Sequence, residues 1–322
     1  GCRNAPVMGQ PYDRLHFRDL EVRMRIVPKQ VGPMTRTLGF ATALMAMVSL
    51  GACTSADTTA SQGIVVTNSV LASIVQEVVG ESIDVETVIP DGKDPHEYQP
   101  SAGDIAKIAN AKVVVANGFG YEPTLKNAIA SARADNVTVF DVEWEIPGLA
   151  DNDAHWFTDP LMAATVSSKL APVLEKALGV SLDDSFAAAL ADFQAMAEEG
   201  KKKIDTIPSV LPGPCAFGSE HIFLGPFSAR FGCPASAVLH AGSRVPDAEP
   251  SATDIEAFIA SIKRNSLRVL LEDASEPSAV LAQAARQSGT KVVPVNVHGM
   301  GGESTYRGYI MNIVDAVVMS LS

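Results

Sequence analysis

Three histidines, His96, His155 and His221, lie where predicted strands end and loops begin. The aspartates, prolines and glycine around them are residues that restrict loop conformation. The three segments are residues 94–98, 153–160 and 218–221. Neutral imidazoles suit a borderline-soft divalent cation, and imidazoles from separate loops meet only where the fold brings those loops together. The sequence therefore predicts that the function of this chain depends on a bound metal ion.

The composition is that of a globular protein, with 47% hydrophobic and 19% charged residues in 322. A chain of this length exceeds the usual size of one domain, so we expect two lobes. The 25 basic and 37 acidic residues give a formal net charge of −12. This acidic balance argues against nucleic acid as a partner, because a surface that binds nucleic acid is basic.

Short apolar strands alternate with helical segments along both halves of the chain. In the first half, the strand 64–66 precedes a helix near 70–79, and residues 137–140 form a further strand. In the second half, the strand 291–295 precedes a helix over 303–321. Continuous apolar strands separated by helices are typical of a parallel sheet covered on both faces. We predict an α/β protein of two lobes, each a parallel sheet flanked by helices.

An internal repeat indicates one plan for both halves. The segment Pro-Ser-Ala-Gly-Asp-Ile at 100–105 recurs as Pro-Ser-Ala-Thr-Asp-Ile at 250–255, an offset of 150 residues. In each copy a serine, with an aspartate three residues later, predicts a helix that begins with a capping-box-like pair. A buried-type strand follows each helix, at 112–116 and at 268–271. Matching context on both sides favours shared architecture over a chance match.

A long helical segment, residues 181–207, separates the two halves. Aspartates lie in its first turn and three lysines lie near its end, a charge order that complements the helix dipole. One apolar stripe runs along it at helical spacing. We predict that this helix is a stiff linker between an N-terminal α/β lobe at 63–180 and a C-terminal α/β lobe at 208–322.

The first part of the chain has the features of an export signal. Residues 34–53 combine a short basic start with an apolar run that is shorter than the roughly 20 residues needed to span a bilayer. The run ends in Leu-Gly-Ala-Cys, which resembles a bacterial lipobox and predicts lipidation of Cys53. A chance match after a buried helix is the alternative. Residues 54–62 are expected to form a polar tether, and residues 1–33 to be disordered or an over-extended reading frame.

Two further cysteines, Cys215 and Cys233, remain after Cys2 and Cys53 are set aside. An even pair in an exported chain favours a disulfide. Their separation of 18 residues would place one cysteine before each of two neighbouring strands. Two independent buried thiols are the alternative.

Several motifs occur in a fixed order along residues 63–322. Those of the first half are Asp94-Pro95-His96-Glu97-Tyr98, Pro100-Ser101, Asn117-Gly118, Glu122-Pro123 and His155-Trp156-Phe157-Thr158-Asp159-Pro160. Those of the second half are His221, Phe227-Ser228-Ala229-Arg230-Phe231-Gly232, Glu249-Pro250-Ser251 and Glu272. In this order the motifs closely resemble those of the zinc/manganese solute-binding lipoproteins of ABC importers (ZnuA-like and TroA-like). The resemblance implies a metal held in a cleft between two lobes that one rigid helix joins.

The same resemblance implies a ligand set. His96 and His155 correspond to ligands of the first lobe, and His221 corresponds to the first ligand of the second lobe. The family commonly has an aspartate near the end of the last strand, where this chain has Asn296. This difference leaves the fourth ligand open and argues against Mn²⁺, which prefers carboxylate oxygen. Three imidazoles with water or a nearby carboxylate fit Zn²⁺ better.

Three residues are candidates for the fourth ligand or for a supporting position. Asn296 stands at the family's ligand position, and His298, two residues farther along, could supply a nitrogen. For His298 we favour the interpretation of a solvent-exposed loop histidine. Glu272 could bind directly, but an acid of this kind more often orients a ligand histidine through its second nitrogen. His240 is interpreted as structural or exposed.

The resemblance implies an extracytoplasmic receptor that captures Zn²⁺, with Mn²⁺ less favoured, and delivers it to the membrane permease of an ABC importer. A lipid on Cys53 would anchor this protein, expected to be a monomer, to the outer face of the cell membrane or in the periplasm. The alternative from another class is a zinc hydrolase that uses the same three histidines, which would also need a general base and a substrate pocket. A metal-binding surface adhesin is a third hypothesis. We favour binding without catalysis.

Overall fold

Two four-stranded parallel sheets form the framework of the described residues, 62–207, 215–239 and 250–322, of this computed structural model. The elements of the first lobe are β1 (Gln62–Val66), α1 (Ser69–Val79), β2 (Val85–Thr87), α2 (Ala102–Asn110), β3 (Ala111–Ala116), α3 (Lys126–Ala134), β4 (Thr138–Asp141), α4 (Val142–Glu145) and α5 (Pro160–Leu178). A long helix, α6 (Asp183–Ile204), leads to the second lobe. The elements of that lobe are β5 (Phe217–Ser219), α7 (Gly225–Phe231), β6 (Ala235–Val238), α8 (Ala252–Arg264), β7 (Val269–Asp273), α9 (Ala279–Ser288), β8 (Lys291–Val295) and α10 (Tyr306–Leu321).

Both sheets have the same strand order. The first runs β2-β1-β3-β4 and the second β6-β5-β7-β8, with every neighbouring pair parallel. Counted within its own half, each sheet has the order 2-1-3-4, so the internal repeat places its helix and strand at the same position in both lobes. The predicted fold class, two α/β lobes joined by a long helix, is confirmed.

The repeated helix starts have the predicted capping. The Ser101 hydroxyl accepts a hydrogen bond from the Asp104 backbone N–H at 3.2 Å, and the Asp104 carboxylate accepts one from the Ser101 N–H at 2.8 Å. Ser251 and Asp254 repeat the arrangement at 3.2 and 3.0 Å. Each pair satisfies backbone donors that a helix start otherwise leaves open, which explains why the same residue types recur at both positions.

One apolar core extends across both lobes. It includes residues of β1, α1 and α5 together with residues of α6, α7 and α10. Gly200 on α6 lies so close to α7 that a Cβ there would come within 2.7 Å of the Phe231 ring. Because separation of the lobes would expose this shared core to water, it favours a fixed arrangement of the two sheets. In the part of the chain that the structure describes, no helix has the length and apolar character needed to cross a bilayer.

Cys215 and Cys233 precede the neighbouring strands β5 and β6 and are joined by a disulfide. The lobe limits at 63–180 and 208–322 and the linker limits at 181–207 stay predictions. The interpretations of residues 1–33, 34–53 and 54–61, and those of Cys53, His240 and Glu249, fall outside the described residues.

Candidate metal centre

Three histidines from three loops converge between the lobes. His96 lies between β2 and α2, His155 lies between α4 and α5, and His298 follows β8. One ring nitrogen from each lies within 4.8 Å of those from the other two. The crevice beyond the carboxyl ends of parallel strands is the usual ligand site of open α/β sheets, and the loops of His96 and His298 start from such strand ends.

The two most buried histidines have the spacing of shared metal ligands. The Nε2 atoms of His155 and His298 are 3.2 Å apart. In a tetrahedral zinc site with Zn–N bonds of about 2.0–2.1 Å, neighbouring ligand nitrogens are about 3.3 Å apart. The ring of His96 has its centroid 5.9 Å from that of His155 and 5.3 Å from that of His298. The cluster can therefore supply three nitrogens to one cation.

His221 lies beside this cluster in the second lobe, in the loop between β5 and α7. Its ring is parallel to that of His298 with 6.0 Å between centroids, and its centroid is 6.2 Å from that of His155. It is not one of the three residues whose nitrogens lie within 4.8 Å. Of the three histidines that the sequence predicts as ligands, the structure thus brings two into the tight cluster and places the third at its edge.

The interpretation of His298 as a solvent-exposed loop histidine is wrong. The residue is 2% exposed, because the loop after β8 folds against the first lobe. Burial lowers the pKa of His298 well below its ordinary value, and the nearby rings of His155, His96 and His221 add to the effect. The imidazole is therefore neutral, which is the form that binds a metal.

The side chains of the other two candidate ligands, Glu272 and Asn296, contact loops of the second lobe. Glu272, at the end of β7, accepts a hydrogen bond from the Ser278 backbone N–H at 2.8 Å, beside the start of α9. The side chain of Asn296 packs against the backbone of Gly301, which has a positive φ of 62° and no room for a Cβ. Both side chains hold loops of the second lobe in place.

Asp153 orients His155. Its Oδ1 atom accepts the His155 backbone N–H at 2.8 Å and lies 3.0 Å from the ring Nδ1. If Nδ1 donates to this carboxylate, the lone pair of Nε2 faces the cluster, as in carboxylate–histidine–metal arrangements. The Asp94 carboxylate accepts the His96 backbone N–H at the same distance, 2.8 Å. Both segments have the spacing Asp-x-His, and this spacing is a sequence signal for an aspartate that positions the histidine.

Asp273 supports His298 in the second lobe. One carboxylate oxygen accepts the backbone N–H groups of Val297 and His298 at 3.1 and 3.2 Å and lies 3.5 Å from the His298 Nδ1. The other oxygen accepts from the Ser275 backbone at 2.7 Å. Sequence reasoning missed Asp273 and selected its neighbour Glu272. Adjacent strand residues point to opposite faces of the sheet. The sequence shows that acids lie at this strand end, but it does not show which of the two faces His298.

A buried polar group underlies the His155 loop. The Asn117 side-chain amide donates to the Ala154 carbonyl at 2.9 Å, and the Asn117 backbone N–H donates to Glu122 at 2.7 Å. Burial raises the pKa of Glu122 to about 7, against the opposing effect of hydrogen bonds from Thr67 and Asn117. The motif residues Asn117 and Glu122 therefore link the end of β3 to the loop that carries His155.

Tyr121 closes one side of the cluster. Its ring centroid lies 5.2 Å from that of His96, 5.8 Å from that of His155 and 5.9 Å from that of His298. The residue is fully buried, and burial raises the pKa of its phenol well above the ordinary value. An uncharged ring at this position excludes water from the histidines without offering an anionic ligand.

Arg230 on α7 binds Asp159, the residue that caps α5. The Nε and one terminal nitrogen of the guanidinium lie 2.7 and 2.9 Å from the two carboxylate oxygens. Asp159 is 1% exposed. Because loss of the guanidinium would leave this buried carboxylate without its partner, the paired hydrogen bond joins the two lobes firmly.

Two more hydrogen bonds connect the same segment of the first lobe to the second. The Tyr306 hydroxyl on α10 donates to the Phe157 carbonyl at 2.7 Å, and the Phe227 backbone N–H on α7 donates to the Thr158 hydroxyl at 3.2 Å. Both bonds are buried. We call this set of contacts the seam, formed by Phe157, Thr158, Asp159, Phe227, Arg230 and Tyr306.

Comparison with known proteins agrees with the geometry. A family model described as the periplasmic zinc-uptake complex component A matches residues 64–319. The metal ABC transporter substrate-binding lipoprotein SsaB of Streptococcus sanguinis is 36% identical over 119 residues, which cover 33% of this chain and 38% of SsaB. The match thus spans little more than a third of that relative's length.

Two solved structures share the fold. The periplasmic zinc binding protein TroA from Treponema pallidum has a TM-score of 0.69 at 20% identity, covering 81% of this chain and 99% of TroA. The laminin binding protein Lmb of Streptococcus agalactiae, titled a bifunctional protein with adhesin and metal transporting activity, has a TM-score of 0.67 at 19% identity, covering 81% and 100%. Since the family model covers most of the sequence, the chain belongs to the family of the periplasmic component A of zinc-uptake complexes.

Proposed function

We propose that this protein is an extracytoplasmic receptor that captures Zn²⁺ and delivers it to the membrane permease of an ABC importer. The convergence of ring nitrogens from His96, His155 and His298 within 4.8 Å carries the proposal. Family membership and the transporter name of the relative SsaB support the delivery role. In this role the metal is the cargo, and the protein has to bind it and release it.

The donor set supports Zn²⁺ over Mn²⁺. The candidate ligands are imidazole nitrogens, whereas the nearby carboxylates support two of these histidines: Asp153 lies at the ring Nδ1 of His155, and Asp273 accepts the His298 backbone N–H. Imidazole suits zinc, and manganese prefers carboxylate oxygen. The 3.2 Å spacing between His155 and His298 fits a tetrahedral zinc site. Zn²⁺ is therefore the proposed cargo.

We propose His221 as the fourth ligand. Its ring lies 6.0 Å from that of His298 and 6.2 Å from that of His155, close enough for a side-chain rotation to bring one nitrogen to a shared cation. The proposed ligands are therefore His96, His155, His221 and His298. Glu272 and Asn296 are proposed to hold loops, because both side chains are engaged within the second lobe.

The surroundings of the cluster favour binding over hydrolysis. A zinc hydrolase needs an open metal position and a general base beside the metal-bound water. Asp153 and Asp273 both bind histidines, and Tyr121 covers one side of the cluster. A groove of about 760 Å³ lies elsewhere, along α6 beside Lys201 and Arg230. The adhesin alternative is supported only by the fold that this chain shares with Lmb.

A lipid on Cys53 is the proposed anchor, since the relative SsaB is named a lipoprotein. We propose that the anchored protein is a monomer on the outer face of the cell membrane or in the periplasm, with no nucleic-acid partner. Mass spectrometry of full-length protein extracted from membranes should find a diacylglycerol adduct on Cys53. A Cys53→Ser variant that stays in the membrane fraction to the same extent would contradict the anchor.

Zinc titration of histidine variants tests the site. His155→Ala and His298→Ala should each weaken Zn²⁺ binding at least about 100-fold, because a ligand contributes more than the 10–100-fold of a supporting residue. His221→Ala should lower affinity if His221 completes the site. His240→Ala, which removes an imidazole outside the proposed set, is the matched control. Affinities measured by chelator competition that match wild type for His96, His155 and His298 variants alike would reject the site.

A further inference from the structure

Asp91 makes a contact between the lobes close to the histidine cluster. Its Oδ1 atom accepts a hydrogen bond from the Met300 backbone N–H at 2.6 Å. The same oxygen accepts one from the Ser69 hydroxyl at 2.9 Å. Asp91 and Ser69 belong to the first lobe, and Met300 belongs to the second. The carboxylate therefore ties one lobe's loop to the other lobe's backbone.

The contact joins the two loops that carry His96 and His298. Asp91 lies in the connection between β2 and α2, five residues before His96. Met300 lies in the connection between β8 and α10, two residues after His298. A change in the distance between these loops therefore changes the distance between two candidate ligands directly.

The second lobe holds its own loop at the base and at Met300, whose carbonyl accepts the Glu303 backbone N–H at 3.0 Å. Asp273 accepts the backbone N–H groups of Val297 and His298, and the Tyr309 hydroxyl donates to the Val297 carbonyl at 3.1 Å. Beyond His298, the contact from Asp91 to Met300 holds the loop against the first lobe. The Asp91 contact thus ties the part of the loop after His298 to the first lobe.

The loops approach so closely that only glycine fits at the crossing. A Cβ on Gly299 would lie 2.9 Å from the Asp91 Oδ1 and 2.9 Å from the Gly92 backbone nitrogen. Gly299 does not have the positive φ that makes other residues unfavourable. The obstacle to a side chain at Gly299 is therefore the neighbouring loop alone. An alanine there would push the two loops apart without straining its own backbone.

We propose that Asp91 is a positioning residue, a latch that holds the His96 and His298 loops together across the lobe boundary and sets how fast the metal leaves. The inference rests on the proposed receptor function. Asp91 and Ser69 bond in exposed surroundings, where water competes for the carboxylate. Opening the latch loosens the His298 loop from the first lobe while the buried hydrogen bonds of the seam stay intact, and the Met300 side chain, which is part of the shared core, limits how far the loop moves.

Hydrogen exchange of the metal-free protein tests the contact. The Met300 amide, which donates to Asp91, should exchange about tenfold faster in Asp91→Ala than in wild type. Asp91→Asn keeps an oxygen that accepts the bond and should protect the amide nearly as well as wild type. Asp84→Ala removes an exposed carboxylate of the same lobe and is the matched control for charge.

Zinc dissociation tests the consequence. Stopped-flow release of Zn²⁺ to an excess of chelator should be about tenfold faster in Asp91→Ala and in Gly299→Ala than in wild type. Gly103→Ala, at a helical position with room for a methyl group, should release zinc at the wild-type rate. Asp91→Asn should stay within about twofold of wild type, since the bond rather than the charge is at issue.

Two outcomes would overturn the latch. If Asp91→Asn accelerates release as much as Asp91→Ala, the charge attracts the cation and the hydrogen bond is irrelevant. If neither Asp91→Ala nor Gly299→Ala changes Met300 exchange or zinc release, the loops are held by other contacts. Failure of wild-type protein to bind Zn²⁺ would reject the receptor function, whereas the metal-free exchange of Met300 decides the loop contact by itself.

Discussion

The seam and the Asp91 contact both join the two lobes, but their carboxylates differ in burial. The seam contains two buried hydrogen bonds and the Asp159 carboxylate, which is 1% exposed and pairs with the half-buried Arg230 at 2.7 and 2.9 Å. Asp91 holds Met300 from an exposed loop. Removal of Arg230 leaves the buried Asp159 carboxylate without its partner, whereas the exposed Asp91 carboxylate can exchange its bond for one with water at small cost. One contact fixes the lobes and the other can open.

This difference indicates how the proposed receptor would release its cargo. His155 lies two residues before Phe157, the first residue of the seam, so it stays with the fixed side of the boundary. His298 is on a loop that the Asp91–Met300 hydrogen bond ties to the first lobe. The long helix α6 and the shared core also oppose wide separation of the lobes. We therefore expect release through movement of the His298 loop rather than through opening of the whole cleft.

Removing the charged pair of the seam gives the largest expected effect on stability. Arg230→Ala leaves the buried Asp159 carboxylate without its guanidinium and should lower the free energy of unfolding by about 3 kcal/mol. Denaturant unfolding measures this loss. In the same variant, zinc release should stay within about threefold of wild type, because the Asp91 contact is intact.

A second seam variant removes a weaker contact and serves as a comparison for Arg230→Ala. Tyr306→Phe removes a single neutral bond to the Phe157 carbonyl and should cost about 1–2 kcal/mol. Zinc release that accelerates in step with lost stability, in Arg230→Ala and Tyr306→Phe alike, would remove the distinction between the two contacts. Asp91→Ala should show the reverse pattern, with faster release and nearly unchanged unfolding.

The free energy of unfolding should also depend on pH, through Glu122 beneath the His155 loop. Burial raises the pKa of Glu122 in the folded protein from 4.5 to about 7. Between these values the unfolded chain is ionised while the folded protein keeps its proton, so this group's contribution to stability falls as pH rises through this window. Above about pH 7 both states are ionised, and the full cost of the buried charge remains.

Glu122→Gln isolates that contribution. The amide keeps an oxygen to accept the Asn117 backbone N–H but cannot ionise. The free energy of unfolding of Glu122→Gln relative to wild type should therefore increase from pH 5 to pH 8, by up to about 3 kcal/mol. Parallel pH profiles for the two proteins would show that Glu122 does not carry a raised pKa, and the buried link from β3 to the His155 loop would then need another explanation.

The sequence by itself determined the fold class and predicted two of the three clustered histidines, His96 and His155, as candidate ligands. Alternating apolar strands and helices indicated parallel sheets, and the repeated Ser-x-x-Asp starts at Ser101 and Ser251 predicted equivalent helices in both lobes. These inferences succeed because capping and strand burial depend on neighbours in the chain. His96 and His155 were found in the same way, since each follows an aspartate that holds its own loop.

Only the tertiary structure decided which side chains meet. His298 joined the cluster, against the expectation of an exposed loop, because the loop after β8 folds onto the first lobe. Asp273 rather than Glu272 supports it, since the facing of a residue at a strand end depends on which loop packs above it. Asp91 is separated from Met300 by 209 positions along the chain. Contacts at such separations follow from the packing of the lobes, and the local sequence pattern does not predict them.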